Sequence, residues 1–150
     1  MTDQRYIKPT AMDTLFNRAM AMLTKLGVSV MGSRVLAVKG RSSGQWRTTP
    51  VNLLTVADDR YLVAPRGQAQ WVRNLRAAGG GELRLGGKVE PFTATEVADA
   101  DKPPIIRAYL ARWGWEVGRF FDGLTKDASD EDIVAVAPGF PVFRIERSGV

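Results

Sequence analysis

Gly40-Arg41-Ser42-Ser43-Gly44-Gln45-Trp46-Arg47-Thr48-Thr49-Pro50 joins two apolar runs, residues 34–39 and 47–56, and reads as strand, turn, strand. Glycines at both ends of the turn let the backbone approach a ligand closely and turn N–H groups outward. Arginine supplies a planar fork for phosphate or carboxylate, and the hydroxyls add neutral donors. The spacing of glycines, lysine and hydroxyl that a P-loop needs is absent. On its own the stretch suits a phosphate cradle and a solvated hairpin tip equally well.

Working outward, Asp58-Asp59 makes a tight turn into a third strand at 60–64. Residues 68–77 follow as a short helix, with Trp71 and Leu75 four apart on one face, and Gly79-Gly80-Gly81 stops it. Residues 83–85, a Gly86-Gly87 turn and residues 88–97 form a hairpin. Asp101-Lys102-Pro103-Pro104 is a helix start, with Asp101 as cap and the prolines in the first turn. Ile106, Tyr109, Leu110, Trp113, Val117, Phe120 and Phe121 then share a face, and Gly114 and Gly118 weaken the helix enough to bend or split it. A short helix from Ser129 and a last strand at 141–146 complete the chain.

On the N-terminal side, residues 10–26 carry Met12, Leu15, Phe16, Ala19, Leu23 and Leu26 at helical spacing behind a Thr10-x-x-Asp13 capping box. Packing on the core explains such a stripe. Peripheral contact with a membrane surface also suits it, because it is rich in Met and Leu with Arg18 and Lys25 opposite. The expected architecture is a single α+β domain over 1–150, mainly β. It is a small barrel of about six antiparallel strands, with the barrel core at 34–97, helices packed around it, and the C-terminal helices and last strand at 101–147.

Composition narrows the chemistry. The 150 residues are 45% hydrophobic and 25% charged, with no cysteine and no histidine. That excludes disulfides, thiol nucleophiles, thiolate metal sites and every Ser-His-Asp or Cys-His arrangement, and no metal site is expected. An enzyme with this composition borrows its chemistry from a cofactor. The net charge of +5 is uneven: 34–88 has 10 basic and 3 acidic residues, whereas 96–132 has 5 and 9. Such a segregated charge suits one anion-binding face, and without a recognised reader motif it argues against a nucleic-acid partner. No apolar run approaches 18 residues and the N-terminus lacks a secretory pattern, so a cytoplasmic protein is expected.

A second cluster reinforces the turn. Ala64-Pro65-Arg66-Gly67 ends a strand, and Trp71-Val72-Arg73-Asn74-Leu75-Arg76 lies just beyond it. These arginines either join the anion site, with Trp71 packed beneath, or remain solvated on a helix whose Trp71 and Leu75 are core.

GRSSGQWRTTPVNLL, then RYLVAPRG, then WVRNLRA resembles, in order and spacing, the deazaflavin-dependent nitroreductase family of actinobacteria, over roughly residues 34–97. That resemblance implies a split β-barrel and coenzyme F420, an 8-hydroxy-5-deazaflavin with a phosphate and a polyglutamate tail. It implies hydride transfer from the reduced cofactor to a small lipophilic acceptor such as a quinone, enone or nitroaromatic. By position it implies cofactor contacts at Arg41, Ser42 and Ser43 in the turn, and at Arg47, Thr48, Thr49, Pro50, Val51 and Asn52 on the strand. Further contacts fall at Ala64, Pro65, Arg66 and Gly67, and at Gln70, Trp71, Val72, Arg73 and Asn74. Ser42 stands where many members carry Lys, and Arg66 and Arg73 are the nearby cations that would compensate. The family's C-terminal helices shape the acceptor pocket, often with tyrosines. Tyr109 is the one hydroxyl among the aromatics Tyr109, Trp113, Trp115, Phe120 and Phe121 there, which makes it the candidate catalytic residue, with Tyr6 a weaker one. The alternative on the same scaffold is an FMN-binding or non-catalytic ligand carrier. Haem is disfavoured by the missing His and Cys.

Overall fold

The computed structural model describes residues 6–7, 33–117 and 124–148. The helix expected at 10–26, with any membrane contact it makes, lies outside them, as do Phe120 and Phe121.

Among the described residues, seven strands form one antiparallel sheet: β1 (Ser33–Lys39), β2 (Trp46–Asn52), β3 (Leu54–Val56), β4 (Asp59–Val63), β5 (Gly80–Leu85), β6 (Lys88–Glu96) and β7 (Val142–Arg147). Their order is β2-β1-β5-β6-β7-β4-β3. Helix α1 (Gln70–Ala78) joins β4 to β5, and α2 (Pro103–Val117) and α3 (Asp130–Val136) lie between β6 and β7.

The expected run of 47–56 is a single extended segment in sequence but two strands in the sheet, so six strands become seven. Residues 46–52 pair with β1, from Trp46 opposite Lys39 to Asn52 opposite Ser33. One residue later the chain changes partner, and Leu54 faces Tyr61 of β4. β2 and β3 are therefore the two ends of the sheet and are joined through Leu53 alone. Only a strongly coiled sheet brings its two ends that close, and this is how the split barrel forms. Ala57 and Asp58 both take positive φ (49° and 73°), the geometry of a two-residue hairpin turn, one position earlier than the expected Asp58-Asp59.

Two cores result. Leu36, Val38, Leu62, Leu83, Phe92, Phe143 and Ile145 pack together with Val72 and Leu75 of α1. The second cluster joins Leu54, Val63 and Val142 to Ile106, Tyr109, Leu110 and Trp113 of α2 and Ile133 of α3. Burying both sheet faces this way is what a chain of this length needs to offset its conformational entropy.

Three boundaries differ from the sequence expectation for local reasons. Of Gly79-Gly80-Gly81, Gly79 alone caps α1, while Gly80 and Gly81 already pair with Thr93 and Phe92 of β6. A Cβ on Gly80 would collide with the Phe92 carbonyl oxygen, and one on Gly81 would lie 2.5 Å from that of Ala37. Asp101 ends a 3-10 turn (Asp99–Asp101) and does not cap α2, because the Lys102 carbonyl accepts the first helical bond, from the Ile106 N–H at 2.8 Å. Helix α2 also runs through Gly114 unbroken to Val117.

Candidate functional site

The turn at residues 40–45 is closed by its own backbone: the Gly44 N–H donates to the Gly40 carbonyl at 2.9 Å and the Gly40 N–H to that of Gln45 at 2.8 Å. Gly44 sits at φ +69°, a left-handed conformation that a side chain would strain. Ser43 adds a further tie, its Oγ accepting from the Gln45 N–H at 3.2 Å.

Helix α1 then holds this turn from one side. The Arg41 backbone N–H donates to Asn74 Oδ1 at 3.1 Å. The Arg41 guanidinium donates to the same oxygen at 2.7 Å and to Gln70 Oε1 at 3.0 Å. Gln70 and Asn74 are one helical turn apart, so both amides point at the turn. Asn74 is 6% exposed, and its oxygen has a fixed direction. Because both acceptors are neutral amides, they orient the Arg41 cation without cancelling its charge. Six residues along, Arg47 is exposed and forms no hydrogen bond or ion pair among the described residues. Ser42 and Thr48 are exposed as well. An anion that reached this turn would meet two uncompensated guanidinium charges and a rigid backbone.

An apolar floor lies next to it. Val51 and Trp71 pack against the cluster that includes Ala64, Ala69 and Val72. Trp71 is held at 6.2 Å from Phe143 with its ring tilted by 54°. Thr49, Pro50 and Asn52 are half-buried along the same strand. The Gly67 N–H donates to the Ala64 carbonyl at 3.2 Å, which closes the loop after β4. The structure thus brings together the turn, the strand, the loop after β4 and the helix start named from sequence.

The remaining arginines point elsewhere. Arg66 donates from its guanidinium to the Ile7 carbonyl at 3.1 Å, and its own carbonyl accepts from the Ile7 N–H at 2.9 Å. It thereby fastens the segment around Tyr6, which bridges to Gly67. Arg73, beside Asn74 on α1, turns back to donate to the Gln68 carbonyl at 3.2 Å. Arg76 grips Glu96 through two bonds of 2.8 and 2.7 Å and also reaches Gln68 Oε1 at 3.1 Å. These bonds to the Glu96 carboxylate raise the Arg76 guanidinium above its ordinary pKa. Tyr109 is 3% exposed, with its ring 5.0 Å from that of Trp113 in the outer core.

Two features escaped the sequence reading. Phe143, from the far end of the chain, supports Trp71, and no local pattern signals that pairing. Lys102 is 3% exposed and donates to the Ala137 carbonyl at 2.9 Å. A lysine beside aspartate and proline looks like surface until the 3-10 turns Asp99–Asp101 and Ala137–Gly139 are seen to meet at it. Among the described residues no group of carboxylates suits a metal ion, and no helix is long and apolar enough to cross a membrane.

Residues 13–114 match the family described as F420H(2)-dependent quinone reductase. Solved structures share the fold at low identity. A protein of unknown function from Agrobacterium tumefaciens strain C58 superposes with a TM-score of 0.59 at 18% identity, over 95% of this chain, which spans 58% of that one. An F420-H2 dependent reductase, FDR-A, gives 0.54 at 19% identity over 77% of this chain and 94% of its own. The heme storage protein HutZ of Vibrio cholerae gives 0.52 at 15% identity over 80% and 84%. No curated protein matches the sequence.

Proposed function

We propose, from the premise that this chain belongs to the F420H(2)-dependent quinone reductase family, that it passes hydride from reduced coenzyme F420 to a lipophilic, electron-poor acceptor, a quinone before an enone or nitroaromatic. The observation that carries this reading is the turn braced by Arg41, Asn74 and Gln70, with Arg47 exposed beside it. The residues fit the cofactor, since its phosphate needs donors and positive charge at one place and its ring system needs an apolar floor. When bound, the deazaflavin supplies the hydride, which is why no histidine or cysteine is required.

The chain's own residues do the rest. Arg41, Arg47 and the hydroxyls of Ser42 and Ser43 bind the anionic end by charge-assisted and neutral hydrogen bonds. Asn74 and Gln70 orient Arg41 before the ligand arrives, so less freedom is lost on binding. Val51 and Trp71, packed on the cluster that includes Ala64, form the wall that excludes water from the ring. Arg66 is engaged with the Ile7 carbonyl. Without a lysine at Ser42, Arg47 then carries a larger share of the anion affinity.

A titration of the oxidised deazaflavin, followed by its fluorescence, tests this. Saturable binding that weakens with salt and by about tenfold in Arg47→Ala is expected, the loss of one charge-assisted contact. The reduced cofactor is then oxidised against a panel of quinones, enones and nitroaromatics, with the quinones fastest. Unchanged fluorescence at micromolar protein overturns the reading.

A further inference from the structure

A polar cavity opens between α1 and the chain leaving β6. It has a volume of about 660 Å³ and is lined by Gln68, Arg73, Arg76, Glu96, Asp99 and Lys102 among others. Three cations and two carboxylates meet there, and their pairing is uneven. Glu96 is held by Arg76 through both of its oxygens, at 2.8 and 2.7 Å. Asp99 is held by Lys102 at 2.7 Å, and the Lys102 side chain is nearly buried. Each carboxylate is thereby matched, and Arg73 is left over. Its one bond runs from Nε to the Gln68 carbonyl, so both terminal nitrogens of the fork have no partner among the described residues.

That bond fixes the plane of the guanidinium and leaves its two-pronged end available. Gln68, 8% exposed, is anchored in turn by Arg76 at 3.1 Å. The support for Arg73 is therefore built into the fold, with one positive charge in excess in a cavity large enough for a small metabolite. We propose that this cavity is a second ligand site, separate from the Arg41 turn, which binds a small molecule through a phosphate or carboxylate group seated on Arg73. The shared chemistry is a planar or tetrahedral oxyanion taken by a bidentate guanidinium. Gln68 and the third hydrogen of the Lys102 ammonium are neighbouring donors. The site does not depend on a deazaflavin, so it stands or falls independently of the redox reading.

The full chain, labelled with 15N, is titrated in low-salt buffer without deazaflavin, first with sodium phosphate and separately with sodium succinate. Saturating shifts at the amides of Gln68, Arg73, Val97 and Ala98 are expected with at least one probe, and the tighter one tells phosphate from carboxylate. The dissociation constant at those signals rises about tenfold or more in Arg73→Gln and less in Arg73→Lys. Arg73 is exposed, so both variants fold, which their unchanged melting temperatures verify. Signals that stay still with both probes, or that saturate alike in Arg73→Gln and the parent, overturn the proposal.

Discussion

One oxygen of Asn74 accepts two hydrogen bonds from Arg41, from the backbone N–H at 3.1 Å and from the guanidinium at 2.7 Å. Helix and turn are thus joined at a single buried point, and the direction of a cation is set by the rigidity of α1. Replacing Asn74 with Ala removes both bonds and leaves a cavity beside the turn. A loss of roughly 1–3 kcal/mol of stability by chemical denaturation is expected, together with weaker deazaflavin binding by about tenfold. Asn74→Asp separates the two effects. It keeps an acceptor for the turn but cancels the Arg41 charge, so stability is retained while affinity still falls. Equal affinity in Asn74→Asp and the parent protein contradicts this account.

The local elements of this arrangement are legible in the sequence because each has a short-range cause. Gly40 and Gly44 bracket the turn, and Trp71 and Leu75 share a helical face. What sequence does not reveal depends on contacts distant in the chain. The change of partner at Leu53 has no local signature, since an extended segment shows the same pattern whether one strand or two lie beside it. Arg66 reads as an anion ligand, and its further tie to the carbonyl of Ile7, 59 positions away, has no local signal. Arg73 and Arg41 look alike in sequence, and only their partners separate them: the Gln70 and Asn74 amides hold Arg41 at the turn, and the Gln68 carbonyl holds Arg73 in the polar cavity.

Gly80 and Gly81 are required by geometry, because backbone carbonyls occupy the space of a side chain. Substituting Gly81 with Ala forces β5 away from the Ala37 carbonyl and from Val38. A cost of about 1–3 kcal/mol is expected, as for other overpacked sites. Gly87 is the control, because nothing lies within 4 Å of its added Cβ and its φ is not in the left-handed region. Gly87→Ala should be neutral or stabilise by up to about 1 kcal/mol through the unfolded chain. Urea denaturation of the two variants distinguishes them, and equal midpoints would show that the close approach is not limiting.

Acid sensitivity should trace to the ties across strands β6, β7 and β4. Arg60 of β4 donates to both oxygens of Glu90 on β6, one of them at 3.0 Å, and Arg147 of β7 lies 3.5 Å from the same carboxylate. The hydrogen bond from Arg60 holds Glu90 below the ordinary carboxylate value of 4.5, against a smaller opposing effect of burial. A depressed carboxyl contributes stability that is present above its unfolded pKa and is lost as pH falls through its folded one. Glu90→Gln should therefore be less stable than the parent at neutral pH, and the gap should close as pH drops below 4.5. Added salt should narrow the neutral-pH gap, because the pair is partly exposed. A gap that is independent of pH would assign the effect to packing instead.

Tyr109 illustrates how burial decides between chemistry and structure. Its hydroxyl among the aromatics of α2 makes it a candidate for proton donation, yet it is packed among Ile105, Ile106, Leu110 and Trp113 at 3% exposure. A group that exchanges a proton with an acceptor has to touch it. If packing is the role of Tyr109, Tyr109→Phe should change the rate of quinone reduction by less than about twofold, since 1.4 kcal/mol corresponds to a tenfold effect. Tyr109→Ala should instead lower stability by about 3–5 kcal/mol through the cavity it opens. The discriminating measurement is the pH profile of kcat in Tyr109→Phe. A profile identical to the parent's keeps Tyr109 in the core, whereas a lost limb and a rate down by about a hundredfold would make it the proton donor after all.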